Sequence, residues 1–253
     1  MSGTETIYGL HAVRALLQRH PERVLSVQIA ERRDDPRAAQ IEALAKQHGV
    51  TVKRIDARTL AQRLGDVAHQ GVLAEVRSMP PWDEAQLLTA VAAATQPIVL
   101  ALDGVQDPHN LGACLRTADA CGVLAVIVPR DRAAQLNATV RKVAAGAAEA
   151  VPVVPVTNLA RTLKLLKGAG LWVIGAAGDA PQLARDVDLA GGVVLVLGAE
   201  GGGLRQLTRQ SCDLLARLPS LGTVESLNVS VAAGMLLYET LRQRSVAPKG
   251  AIG

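Results

Sequence analysis

Residues 191–219 read GGVVLVLGAEGGGLRQLTRQSCDLLARLP. Val193–Leu197 is a continuous apolar run, too short for a helix and rich in valine, and it predicts a strand buried on both faces. A glycine-rich loop follows, then a predicted helix over Gly203–Ser211 and a second apolar run over Leu214–Leu218. Strand, loop, helix and strand in one stretch is the repeating unit of a parallel sheet.

The alternation continues in both directions. Strands are expected at Ile98–Leu102, Ala125–Val128, Ala150–Pro155 and Leu171–Ala176. Helices are expected at Leu111–Cys121, Asn137–Ala145, Leu159–Lys167 and Val229–Arg244. The fold class is therefore α/β, with a parallel sheet covered on both faces. A smaller α/β pattern precedes it. Within residues 7–20, Val13, Leu16 and Leu17 form a helical stripe. Strands follow at Val24–Ile29, Val50–Ile55 and Val72–Val76, with helices at Ala38–Gln47 and Arg58–Leu64. Pro80-Pro81 can continue neither a helix nor a central strand. The expected division is a small domain at 1–78, a linker at 79–97 carrying a helix, and a large domain at 98–253.

Composition narrows the function. Of 253 residues, 49% are hydrophobic and 20% charged, as in a globular chain able to bury a core. No apolar run reaches the roughly 18 residues of a membrane span. The start, Met1-Ser2-Gly3-Thr4-Glu5, lacks the basic and apolar regions of a secretory signal, and a cytoplasmic location is expected. Cys114, Cys121 and Cys212 form neither a disulfide framework nor a CxxC metal pattern, and no HExxH occurs, so no metal is expected. Aromatics are 2% with no Phe, which argues against ring platforms for single-stranded bases. Residues 1–78 carry 12 Lys and Arg against 9 Asp and Glu, so most of the net charge of +4 sits there. A positive first third suits an anionic partner.

In open parallel sheets, ligands bind beyond the carboxyl ends of the strands. Three segments qualify. In the first, Asp103 to Arg116, Asn110 reads as a helix N-cap and Arg116 as either half of an Arg–Asp pair or an anion contact. In the second, Gly198-Ala199-Glu200-Gly201-Gly202-Gly203, glycines permit close backbone approach. It is neither GxGxxG nor a Walker A loop, which weakens a nicotinamide-dependent oxidoreductase. Glu200 has no packing reason to be there. In the third, Leu218 to Gly234, Ser226 or Asn228 is placed to cap the long last helix. Arg130, Arg132, Arg141 and Lys142 are either a solvated face or a phosphate-contacting patch.

Together the three segments resemble the three motifs of the SpoU/TrmH branch of the SPOUT methyltransferases. The matching stretches are NLGACLRTADA at 110–120, LVLGAEGGGL at 195–204 and LPSLGTVESLNVSVAAG at 218–234, in the right order and spacing. The first third, with IYGLHAV at 7–13 and HQG at 69–71, is similar to that branch's RNA-binding extension of ribosomal protein L30e fold. Within the branch the likeness is greatest to bacterial enzymes that methylate a guanosine ribose of 23S rRNA. The resemblance implies a SPOUT domain with a deep trefoil knot, a homodimer, and S-adenosylmethionine as methyl donor. It implies that Gly198, Leu218 and Leu227 hold the cofactor, with Ala176, Ala199, Gly201 and Pro219 beside them. It further implies Arg116 as the catalytic group, arranged by Asn110, Glu200, Ser226 and Asn228. The implied substrate is the peptidyl-tRNA-binding loop of 23S rRNA. The competing readings are a tRNA or another rRNA site, and a noncatalytic RNA-binding assembly factor. The latter has no need to keep Asn110, Arg116, Glu200 and Asn228 together.

Overall fold

The computed structural model describes residues 3–31, 35–64, 69–78, 80–223 and 226–246. Met79, Val224 and Glu225, which fall in the expected linker and the third segment, lie outside the described residues. The chain forms two units, one of residues 1–80 with 145–150, the other of residues 81–144 with 151–253.

The smaller unit is built on a four-stranded sheet. Its strands are β1 (Thr4–Tyr8), β2 (Val24–Ala30), β3 (Thr51–Ile55) and β4 (Val72–Arg77), in the order β1-β4-β2-β3. β4 runs antiparallel to both neighbours, and β2 and β3 are parallel. The helices are α1 (Leu10–Arg19), α2 (Pro36–Gln47) and α3 (Ala57–Leu64). Val13, Leu16 and Leu17, the predicted stripe, are fully buried against Val27, Ile29, Ile41 and Val72. Each such side chain contributes about 1.5–3 kcal/mol on leaving water. The sequence pattern extends the first helix back to Ile7, and the structure corrects this. Thr4–Tyr8 pairs with β4, and the chain turns at Gly9 before α1. Asp35 starts α2 by accepting from the backbone N–H groups of Arg37 and Ala38.

The larger unit holds a seven-stranded sheet. In chain order its elements are α4 (Glu84–Ala93), β5 (Ile98–Asp103), α5 (Pro108–Ala120), β6 (Ala125–Pro129), α6 (Ala138–Ala144), β7 (Val153–Val156), α7 (Leu159–Gly168), β8 (Trp172–Ala176), β9 (Gln182–Leu183), β10 (Val193–Gly198), α8 (Gln206–Ser211), β11 (Leu214–Arg217) and α9 (Val229–Val246). The order is β7-β6-β5-β10-β8-β11-β9, and every pairing is parallel. Strand residues alternate between two buried faces. Val99, Ala101, Ile127, Val194 and Val196 pack with Leu87 and Val91 of α4 and Leu163 and Leu166 of α7. The intervening Leu100, Leu102, Leu195 and Leu197 are equally buried. This explains why the strands read as unbroken apolar runs.

Two helix starts and one extra strand differ from the sequence pattern for physical reasons, and β7 starts at Val153, not at Ala150. α5 begins at Pro108 because Asp107 caps it, accepting from the backbone N–H of His109 at 2.9 Å. α8 starts only at Gln206, because the glycine loop first folds back on β10. β9 is two residues long, too short to show any periodicity. The helix expected inside the linker, α4, buries Leu87 and Val91 within the larger unit.

Candidate functional site

The glycine loop leaves β10 at Gly198, which pairs in register with Asp103 at the end of β5. The loop turns so tightly that a Cβ on Gly198 would overlap the backbone of Gly203. Ala199 and Gly203 form an isolated bridge, with Gly203 N–H donating to the Ala199 carbonyl at 2.9 Å. Glu200 is carried at the tip of this fold-back.

Glu200 meets two amides from the other two segments. Asn110, in the first turn of α5, donates from Nδ2 to Glu200 Oε1 at 3.2 Å. Asn228 donates from Nδ2 to the same oxygen at 2.6 Å and to Asn110 Oδ1 at 2.9 Å. The Asn228 Oδ1 accepts from the Ser230 backbone N–H at 2.9 Å, so it caps α9. Capping and networking are thus one arrangement, because fixing Oδ1 on the helix turns Nδ2 toward Glu200. Asn110 is no N-cap. It is nearly buried, and its side chain is committed to this network.

A cavity of about 470 Å³ opens beside the network, at the carboxyl ends of β8, β10 and β11. Ala176, Gly198, Ala199, Glu200, Gly201, Leu218, Ser226 and Leu227 all line it. Pro219 does not. It lines a second, smaller cavity with Met235 and Tyr238, and Leu218 is shared between the two. The larger cavity lies within the usual size of small-molecule sites. Its wall of glycine and alanine leaves backbone groups open to a ligand. These features fit a nucleoside cofactor approached by main-chain groups, in keeping with the S-adenosylmethionine that the resemblance implies.

Arg116 is exposed, and among the described residues it makes no hydrogen bond or ion pair. Six residues along α5 place it about 9 Å further along the axis and about 120° around from Asn110. A single chain therefore gathers Asn110, Glu200 and Asn228 but not Arg116. The cysteines are poor nucleophiles. Burial pushes the Cys114 thiol up to about 12, and burial with the Asp213 carboxylate pushes Cys212 up to about 11.

Three charged residues of the cavity wall, Asp179, Arg209 and Arg217, escaped the sequence analysis, and two of them pair. Arg209 on α8 forms a bidentate pair with Asp179 in the loop after β8, both contacts at 3.0 Å. Hydrogen bonds from Arg209 hold the Asp179 carboxyl below the ordinary carboxylate range. The carboxyl end of β8, with Gly178-Asp179 after it, is the signal that points to them. No group of side chains that could hold a metal ion occurs among the described residues, and no described helix is long and apolar enough to cross a membrane.

Residues 97–238 match the SpoU rRNA Methylase family, and residues 6–82 match a family described as RNA 2'-O ribose methyltransferase substrate binding. The chain belongs to the SpoU rRNA methylase family. Membership makes it a methyltransferase, as the three motifs led us to expect. Among SpoU relatives, the 23S rRNA (guanosine-2'-O-)-methyltransferase RlmB of Pseudomonas aeruginosa is 56% identical over 246 residues, covering 97% of this chain and 99% of that one. RlmB of Escherichia coli is 49% identical over 242 residues, covering 96% and 100%. In fold, the chain is similar to the SpoU methyltransferase AviRb of Streptomyces viridochromogenes, solved in complex with AdoMet. That match has a TM-score of 0.78 at 22% identity, over 96% of this chain and 91% of that one.

Proposed function

We propose that this protein transfers a methyl group from S-adenosylmethionine to the ribose 2'-hydroxyl of a guanosine in the peptidyl-tRNA-binding loop of 23S rRNA. The observation that carries the reading is the Asn110–Glu200–Asn228 network, one residue from each motif, set beside the cavity. The RlmB relatives, similar over nearly their whole length, support the rRNA guanosine as target. A substrate-binding family match over residues 6–82 supports RNA recognition by the smaller unit. The enzyme acts in the cytoplasm in this reading, where its substrate is made.

The backbone around Gly198, Leu218 and Leu227 holds the cofactor, with Ala176, Ala199 and Gly201 on the wall. When bound, S-adenosylmethionine supplies a methyl group on a positively charged sulfur. The attacking 2'-hydroxyl oxygen would take the methyl carbon as its bond to sulfur breaks, neutral S-adenosylhomocysteine would leave, and the hydroxyl proton would pass to solvent water. Arg116 holds the neighbouring phosphate and stabilises the developing alkoxide as a fixed cation. A guanidinium serves as a fixed charge and hydrogen-bond donor, not as an acceptor. Asn110 and Asn228 hold Glu200 in one orientation at the cavity edge, and Ser226 lines the same wall.

Arg116 stands away from the network in one chain, which supports a homodimer that completes the site. Val231, Met235 and Tyr238 follow i, i+4, i+7 spacing on α9 and are exposed, an apolar stripe suited to a second copy. The trefoil knot of the SPOUT domain belongs to the same reading.

The test is methyl transfer from labelled S-adenosylmethionine to protein-free 23S rRNA from cells lacking this modification. The product is mapped by primer extension sensitive to ribose methylation. One new stop at a guanosine of the peptidyl-tRNA-binding loop is expected. Transfer to tRNA alone would overturn the target, and transfer to neither would overturn the enzyme.

A further inference from the structure

Asp103 ends β5 with its side chain fully buried, yet its Oδ1 has no hydrogen-bond partner among the described residues. Its other oxygen accepts from the Arg205 backbone N–H at 2.8 Å, and Oδ1 faces the Arg205 guanidinium at 3.6 Å. The guanidinium itself is about half exposed, at 46%. It lies against Gly104, where a Cβ would come within 2.9 Å of Nη2, so no larger residue fits there without displacing it. Nη2 also reaches the Arg132 carbonyl at 3.5 Å. The Arg132 loop is tied to the Gly104 loop by the Ala134 N–H, which donates to the Val105 carbonyl at 2.8 Å.

This is an arginine aimed outward from a buried carboxylate. The carboxylate fixes one side of the fork and is itself screened from solvent, so the guanidinium is the charge presented at the surface. A buried carboxylate with one oxygen left without a hydrogen bond is costly unless a cation stays near it, which keeps Arg205 in place. Most guanidinium donors have no acceptor within the described residues. The position is the carboxyl edge of the sheet, between the loop leading to Asn110 and the loop carrying Glu200. Exposed Arg130 and Arg132 lie on the next loop, with no ion pair among the described residues, and Asp131 is the one acid between them.

We infer that Arg205 is a pre-oriented phosphate-binding residue that grips the RNA backbone close to the methylated ribose, with Arg130 and Arg132 extending the same basic rim. The inference rests on the RNA-methyltransferase reading and adds a residue that the three motifs do not assign. A guanidinium fork already held on one side loses little freedom when it bonds a phosphate on the other, and the fork matches phosphate oxygens two at a time.

The experiment measures binding of a labelled synthetic hairpin of the peptidyl-tRNA-binding loop to the full chain, by fluorescence anisotropy between about 0.05 and 0.2 M salt. Wild type, Arg205→Gln and Arg205→Lys are compared. S-adenosylmethionine affinity by calorimetry and the melting temperature are followed in parallel. Arg205→Gln is expected to weaken RNA binding about tenfold, as for loss of one charge-assisted contact. It should also lower the slope of log K against log salt by about 0.7 to 0.9. Arg205→Lys should restore the slope but not the full affinity. Arg205→Gln should melt lower, because it strips the cation from the buried Asp103, whereas Arg205→Lys keeps a cation there and should melt near wild type. Cofactor affinity should stay at the wild-type value in both, and the KM for RNA should rise while kcat holds. An unchanged salt slope in Arg205→Gln overturns the phosphate contact. A fall in RNA affinity matched by a fall in cofactor affinity or melting, and equal in Gln and Lys, overturns it in favour of a loop strut. A wild-type protein that ignores the hairpin overturns the functional reading along with it.

Discussion

Asn228 donates to Glu200 at 2.6 Å with one end of an amide whose other end starts α9. The two jobs separate chemically. Serine caps helices as well as asparagine does but has no second donor for Glu200. Asn228→Ser should therefore melt within a degree or so of wild type, whereas Asn228→Ala should lose about 1 kcal/mol. Both should lower methyl transfer ten- to a hundredfold, about the value of a hydrogen bond to a charged group. Calorimetry beside a single-turnover assay checks this. Full activity in Asn228→Ser would show that the network is only a cap.

Gly198→Ala puts a methyl group where the Gly203 backbone now lies. The loop has to open, at a cost of about 1–3 kcal/mol typical of overpacking. Because the same loop walls the cavity, S-adenosylmethionine binding should be lost while the protein remains folded. Calorimetric titration and circular dichroism on one sample separate the two effects.

Arg116 is exposed and unengaged among the described residues, so substitution there should leave the melting temperature unchanged. Arg116→Lys keeps the charge and loses the fork. Its turnover should fall about a hundredfold, the scale of one lost donor to a developing oxyanion. The pH–rate profile should keep its shape, since both side chains act only as fixed charges in this reading. A profile that shifts with the lysine would make this side chain the base.

Asp179 titrates low because Arg209 holds its ionised form. The sign follows from the depressed value in the folded state. The stabilisation is complete above the unfolded carboxylate pKa and is lost as pH falls through the lower folded one. A carbon-detected NMR titration should place the Asp179 midpoint below the ordinary aspartate value of about 3.9. Arg209→Gln should return it to that value.

Much of this molecule is legible in its sequence because the strands of a doubly covered sheet leave unbroken apolar runs. Val193–Leu197 and Ile98–Leu102 announce themselves in that way. The motif residues were legible through their resemblance to the three motifs of the SpoU branch. Their partnerships were not. Asn110 looks like a helix cap, and only the Asp107 contact frees it to face Glu200. The Asp103–Arg205 and Asp179–Arg209 pairs join residues 102 and 30 positions apart, and no periodicity records such distances. β1 was hidden because Ile7 and Tyr8 run straight into a helical stripe. Pro219 follows Leu218, which lines both cavities, yet itself lines only the smaller one, and the sequence carries no signal for that split.

The strand order has a consequence for synthesis. β10 lies between β5 and β8, although both leave the ribosome before it does. A nascent chain that has made residue 190 therefore owns two apolar strands with an open seam between them. Such edges recruit other chains, and translation must run on before the seam can fill. The residues that fill it are the six of β10, ending at the glycine that begins the cavity wall. The keystone strand thus precedes the finished cavity, because Leu218, Leu227 and Ala232, which also line it, are translated after β10.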